Sequence, residues 1–275
     1  MSTAAIGIFD SGIGGVTVWR EIVRALPHES TIYVADQAHL PYGPRPPDEV
    51  RGYAEAITRH LLERGCKAIV VACNTASAAA LKFLREQHPT VLFVGMEPAV
   101  KPAASHTKSR VVGVMATPGT LQGRMFALAV ERFASGVTLV NQPCPGLVEA
   151  IEAGALDTPA TETMLRGFLK PILGAGADTL VLACTHYPFV LPLIRHIAGA
   201  ALHVVDPAPA VARHLAQRLQ QAGLATSASG TPAHEFVTTA SAQAFAGALA
   251  RVAGVKAQPR ELQWDGAALA AAVLA

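Results

Sequence analysis

Short Val- and Ile-rich runs alternate with helix-like stretches from the start of this chain, and that alternation constrains its fold more than any other feature. Residues 6–9, 31–35, 68–72 and 91–94 read as strands buried on both faces. Between them, residues 17–25, 48–64 and 76–86 read as helices. Strands alternating with helices in this way imply a parallel sheet covered by helices.

The pattern then recurs. Residues 111–115, 137–140, 179–183 and 202–205 form a second set of four strand candidates. The closest internal match sets Gly65 through Thr75 against Gly176 through His186. In each, a glycine leads into an apolar run, then Ala-Cys and two polar residues. Cys73 and Cys184 stand 111 residues apart, as do Gly65 and Gly176. Any α/β chain repeats its strands, but generic repetition does not explain an Ala-Cys at the same strand end twice. The fourth strands also end alike, in Glu97-Pro98 and Asp206-Pro207. We therefore expect an α/β fold of two similar lobes, each a parallel sheet flanked by helices. An approximate two-fold relation would set the active site between them. The helix, strand and helix at 209–219, 235–239 and 241–252 should return to the first lobe, because the second already has its four strands. The first lobe is then 1–98 plus 208–275 and the second 99–207, with a hinge near Pro98 and Pro207.

Bulk properties remove several function classes. Net charge is +2 and no Lys/Arg cluster stands out, so no nucleic acid is expected as a partner. No apolar run reaches the roughly 18 residues of a membrane span, and the one at 266–275 is too short. No charged region or cleavage site precedes the strand at residue 6, so a signal peptide is not expected. The cysteines Cys66, Cys73, Cys144 and Cys184 show no close-pair metal spacing, which suits free thiols and a cytoplasmic setting.

In open parallel sheets, ligands sit beyond the carboxyl ends of the strands. The first lobe carries there Asp10-Ser11-Gly12-Ile13-Gly14-Gly15, Asp36 followed by Pro41-Tyr42-Gly43, and Cys73-Asn74-Thr75. The second carries Thr117-Pro118-Gly119-Thr120 and Cys184-Thr185-His186. The Gly-rich stretch is not G-x-G-x-x-G, since Thr17 stands where the last Gly belongs, and it lacks a P-loop Lys. Its bare N–H groups and Ser11 suit a smaller anion, such as a carboxylate. A cysteine at a strand end is most often core, and Cys66 and Cys144 are read so. Cys73 and Cys184 differ because hydrogen-bonding residues follow each. A helix from residue 76 would aim its positive end near Cys73 and favour the thiolate. His186 is placed to be the proton partner of Cys184, while His28, His60, His88 and His106 receive no role.

One nucleophile suffices for hydrolysis, whereas two bases on opposite faces of a carbon are what stereoinversion requires. With the lobes face to face, one thiolate takes the α-proton and the other thiol returns a proton to the far face. Ser11, Asn74, Thr75, Thr117, Thr120 and Thr185 are available to hold a substrate carboxylate. Nothing in these motifs calls for a cofactor or a metal, and no Lys is placed for a pyridoxal Schiff base. A non-catalytic binder of a small acid is one alternative. A metal hydrolase using Asp10, Cys73, Cys184 and His186 is another, against ordinary zinc spacing. A thiol–disulfide enzyme would want Cys-x-x-Cys, which is missing.

Taken together, Gly-Ile-Phe-Asp10-Ser11-Gly-Ile-Gly-Gly, Pro41-Tyr42-Gly43, Ala-Cys73-Asn74-Thr75-Ala and Ala-Cys184-Thr185-His186-Tyr-Pro188 resemble the glutamate racemases, in order from about residue 6 to about residue 210. Aspartate and hydantoin racemases share the paired cysteines, but Thr-His-Tyr-Pro is similar to the glutamate branch. The resemblance implies that Cys73 deprotonates one glutamate enantiomer and Cys184 the other, with Asp10 assisting Cys73 and His186 assisting Cys184. A Cys-Pro-x-x-Val-x-x-x-Glu stretch implies a supporting carboxylate at Glu152, with Glu149 as its alternative, and Asp36 is a further supporting acid or an organiser of the loop after it. Implied substrate contacts are Asp10, Ser11, Tyr42, Gly43, Asn74, Thr75, Thr117, Thr120, Thr185 and His186. The implied role is cofactor-independent supply of D-glutamate for bacterial peptidoglycan by a homodimer. Ala116 stands where the family has Gly, and Pro118 is expected to stiffen the substrate loop. No activation-linked leader precedes residue 6, so constitutive activity is expected. Trp264 is read as a packing anchor or a dimer contact, and the tail beyond Gly254 is otherwise unread.

Overall fold

The computed structural model describes residues 4–227 and 230–271; the end of the apolar run at 266–275 lies outside them, at 272–275. The strands are β1 (Ile6–Asp10), β2 (Thr31–Ala35), β3 (Ala68–Val71), β4 (Leu92–Gly95), β5 (Val111–Ala116), β6 (Thr138–Pro143), β7 (Thr179–Ala183), β8 (His203–Val205), β9 (His234–Thr238), β10 (Arg260–Asp265) and β11 (Ala268–Ala271). They form a seven-stranded sheet in the order β11-β10-β9-β2-β1-β3-β4 and a four-stranded sheet in the order β6-β5-β7-β8. All pairings are parallel except β10 with β11.

The block β2-β1-β3-β4 and the block β6-β5-β7-β8 share one order, so the repeat seen in the sequence is a repeat of topology. β3 and β7 are equivalent strands under it, and Cys73 and Cys184 each stand five residues beyond the first residue of their strand. Every side chain of β1, β2, β3 and β7 is buried, which is why these runs lack polar alternation. Each fully buried Val, Ile or Leu contributes about 1.5–3 kcal/mol, so the strand frames under the thiols are stiff. A single apolar cluster contains residues of both sheets, among them Ile8, Val70, Met115 and Leu182.

β9 pairs with β2, and the helix Ala208–Gln221 packs on Val16–Ala25, so β9 extends the first sheet. The β10–β11 hairpin extends that sheet further, which the sequence had left unread. Two other details differ from expectation. The helix Asn74–Gln87 begins two residues before position 76, because Cys73 caps it: its Sγ accepts the Ala76 N–H at 3.5 Å. Pro118 does not sit in a loop but opens the helix Pro118–Gln122, capped by the Thr117 hydroxyl, a position where proline's missing N–H costs nothing. Among the described residues no helix is long and apolar enough to cross a membrane.

Candidate active site

Both thiols face one cleft between the sheets. Cys73 and Cys184 are each 5% exposed. Around them stand Ser11, Asn74, Thr75, Thr117, Thr185 and His186, the Pro41-Tyr42-Gly43 loop, and Val148 as an apolar wall. The free space inside is about 10 Å³, close to what one water-sized sphere occupies. An amino acid enters only if the walls part. A hollow of about 340 Å³ around Lys108, Arg110 and Phe133 is larger, but it contains neither thiol.

On the Cys184 side, a chain of three groups leads from the cleft into the protein. His186 Nδ1 is 3.8 Å from Cys184 Sγ, and its Nε2 is 2.7 Å from Glu152 Oε1. Glu152 ends the helix Leu147–Glu152 and also accepts the Ile13 N–H at 2.7 Å and the Gln37 side-chain amide at 3.2 Å. Glu149, the other candidate, is exposed on the same helix. Burial alone would lower the His186 pKa. Its contacts with Cys184 and Glu152 outweigh that and hold it well above the usual histidine range, as an imidazolium. Burial would raise Glu152, but the His186 charge and the donors from Ile13 and Gln37 bring it below the usual range.

On the Cys73 side, Asp10 ends β1 with no exposed surface. Its carboxylate accepts the Gly12 N–H at 2.7 Å, the Thr185 hydroxyl at 2.9 Å and the Ser11 hydroxyl at 3.3 Å. Burial pushes its pKa up to about 6, against the pull of His186 and these donors. Burial and then the Asp10 charge push Cys73 well above the usual thiol range. The N–H groups of Ala76 and Ser11 act the other way and are outweighed. The expected thiolate at the helix N-terminus is thereby corrected: in the closed cleft, desolvation beats the helix, and Cys73 is a thiol.

The Gly-rich loop also needs correction. Two of its N–H groups are not bare: Gly12 donates to Asp10 and Ile13 donates to Glu152. The anions at this turn are the protein's own carboxylates. The glycines serve close approach instead. A Cβ on Gly12 would fall on the Glu152 carboxylate, 2.9 Å from its Cδ, and one on Gly14 would lie 2.6 Å from both His186 Cε1 and Thr185 Oγ1.

Besides Glu152, three expected residues stand behind the cleft wall. Thr120 hydrogen-bonds Thr117 at 2.9 Å, and Thr117 bonds Thr75 at the same distance, so a hydroxyl row links the two lobes. Asp36 contacts Tyr42 rather than a thiol, accepting its hydroxyl at 2.6 Å. Asp10 is covered by Ser11 and Thr185. Asn74 lines the cleft, and neither its amide nitrogen nor its carbonyl oxygen has a partner in the protein, so both are left for a ligand. Sequence reasoning missed Gln37, Val148 and Tyr33, whose hydroxyl donates to the Gly12 carbonyl at 2.7 Å. Gln37 lies beside Asp36 at a strand end, a signal that was readable. A valine and a tyrosine in apolar runs carry none. Among the described residues no three His, Cys, Asp or Glu side chains converge so as to hold a metal ion.

Residues 6–215 match the family described as Asp/Glu/Hydantoin racemase. The chain belongs to that family. It is 57% identical over 223 residues to a glutamate racemase from Roseiflexus sp. (strain RS-1), covering 81% of this chain and 82% of that protein. Among solved structures it is similar to a glutamate racemase isoform from Bacillus anthracis, at 33% identity and a TM-score of 0.87, over 96% of this chain and 98% of that one. The glutamate racemase of Francisella tularensis in complex with D-glutamate is 27% identical, with a TM-score of 0.84 over 95% and 98% of the two chains.

Proposed function

We propose that this chain interconverts L- and D-glutamate, with Cys73 and Cys184 as paired bases on opposite faces of the α-carbon. The observation that carries this reading is the placement of the two thiols after equivalent strands, β3 and β7, against one closed cleft. Family membership and the high identity to glutamate racemases support the substrate.

In one direction, Cys73 as thiolate takes the α-proton. The C–H electron pair remains on the α-carbon, and the Cys184 thiol returns a proton to the other face. The reverse reaction exchanges the roles. The ammonium of an amino acid brings positive charge to the Cys73 thiol, which burial holds up, and lowers the cost of ionising it. Asp10 receives or relays the proton of Cys73. His186, charged and braced by Glu152, supplies that of Cys184. Ser11, Asn74, Thr75, Thr117 and Thr185, with Tyr42 and Gly43, bind the substrate; Asp36 and Thr120 hold the residues that touch it. Opening takes the lobes 1–98 with 208–275 and 99–207 apart about Pro98 and Pro207.

Circular dichroism of a panel of L- and D-amino acids tests the substrate. Turnover of glutamate in both directions, with aspartate and others poor, is expected; turnover of aspartate alone would overturn it. The proposal extends to a cytoplasmic homodimer that supplies D-glutamate for peptidoglycan. Sedimentation tests the dimer, and growth of a D-glutamate-requiring bacterium expressing this chain tests the supply.

A further inference from the structure

The carboxylate of Asp36 has no exposed surface, yet four donors converge on it. Tyr42 Oη at 2.6 Å and His39 Nδ1 at 2.9 Å share Oδ2. Thr239 Oγ1 at 2.7 Å and Trp264 Nε1 at 2.8 Å share Oδ1. Three of these come from the loop after β2 or from the end of β9. The fourth is brought 228 residues along the chain by the C-terminal hairpin. β10 follows β9 only through Arg260 and Glu261 before it carries Trp264 over the Asp36 loop. There the indole meets His39 edge-on at 4.7 Å and Tyr53 at 5.6 Å, while His39 stacks on Tyr53 at 3.8 Å. The hairpin therefore both donates to the carboxylate and closes it from water.

What Asp36 holds is a wall of the cleft. Its Tyr42 partner is fully buried and lines the space beside Cys73, and the next residue, Gly43, accepts the Gly119 N–H of the second lobe at 3.1 Å. A buried carboxylate keeps one orientation only while its donors are in place. We propose that Trp264 is a positioning residue for the substrate cleft, its indole N–H fixing the Asp36 carboxylate that orients Tyr42 and, through Gly43, the contact between the lobes. The C-terminal hairpin is then part of the active-site framework. This inference rests on the racemase reading only for its kinetic readout.

The test compares Trp264→Phe, which keeps a ring and loses the N–H, with Trp264→Ala and the parent chain. Loss of a hydrogen bond to a buried charge is expected to raise KM for both glutamate enantiomers about tenfold, with kcat within about a factor of two. Trp264→Ala should show the same KM effect together with a lower Tm. Hydrogen exchange of the segment 37–45 should quicken about tenfold in Trp264→Phe, while 159–174 is unchanged. If Trp264→Phe matches the parent in KM and in exchange of 37–45, the indole is a packing anchor and the proposal fails. A change confined to the oligomeric state would make it a dimer contact and overturn the proposal too. If the parent does not turn over glutamate, the racemase reading fails by itself, and exchange of 37–45 still decides the role of Trp264.

Discussion

Replacing Gly14 by Ala isolates the claim that the Gly-rich loop exists for close approach. Gly14 has no left-handed φ, so alanine fits its backbone, and it retains the N–H that an anion-binding turn would need. Only the added methyl is at issue. It would lie 2.6 Å from His186 Cε1 and from Thr185 Oγ1, and closer still to His186 Nδ1. Ordinary carbon contacts need about 3.5 Å, so something must move by roughly 1 Å. The ring is pinned at Nε2 by Glu152 at 2.7 Å, and Thr185 by Asp10 at 2.9 Å. The ring therefore pivots about Nε2, and Nδ1 shifts relative to Cys184, whose 3.8 Å contact is already long. Overpacking of this kind costs about 1–3 kcal/mol of stability, and a 1 Å misplacement of a catalytic group costs about 10²-fold in rate. Urea unfolding and racemisation followed by circular dichroism would read both. Gly167→Ala is the control: nothing lies within 4 Å of its Cβ in the helix Pro159–Gly174, so it should gain about 0.5–1 kcal/mol and leave turnover alone. Full activity in Gly14→Ala would refute the steric argument and restore the anion-binding one.

Further outcomes follow from the same geometry. Asp10 has a folded pKa of about 6 against 3.8 when exposed, so the unfolded chain releases this proton first and stability falls as pH rises through that window. Asp10→Asn should therefore gain up to about 3 kcal/mol above pH 6, less its lost hydrogen bonds, and nothing below pH 4, as denaturation at the two pH values would show. Racemisation by the parent should fall as pH drops through about 6, where Asp10 takes up its proton. Glu152→Gln removes the charge that holds the proton on His186, so its rate should decline earlier on the alkaline side; an alkaline limb unchanged from the parent's would contradict the relay. Cys66→Ala and Cys144→Ala, whose thiols burial holds up at about 11 and about 12, should keep most of their turnover. Cys73→Ala and Cys184→Ala should each lose about 10³-fold.

The strands, the repeat and the two thiols were legible because buried parallel strands write themselves as apolar runs, and the polar residues that end them stand out. The partner of His186 was only half legible. Glu149 and Glu152 sit on one short helix, and which of them turns inward depends on how that helix seats against the Ile13 N–H. The Gly-rich loop was misread for a related reason: its donors look the same whether the anion is a ligand or a protein carboxylate from 139 residues away. The ionisation of Cys73 was misjudged because a helix N-terminus can be read locally, whereas burial depends on the whole cleft. The contact of Trp264 with Asp36 lay beyond reach, since no local pattern pairs a tail indole with a strand-end carboxylate.

The central claim is that two separate monoprotic bases work on one α-carbon. It is tested most directly by following D-glutamate, and then L-glutamate, in deuterated water with the purified chain and examining the first few per cent of reaction by NMR. The account predicts deuterium at the α-carbon of the newly formed enantiomer and almost none in the remaining substrate, in both directions. Deuterium appearing early in the unreacted enantiomer would mean that one base serves both faces, and the two-thiol account would be wrong.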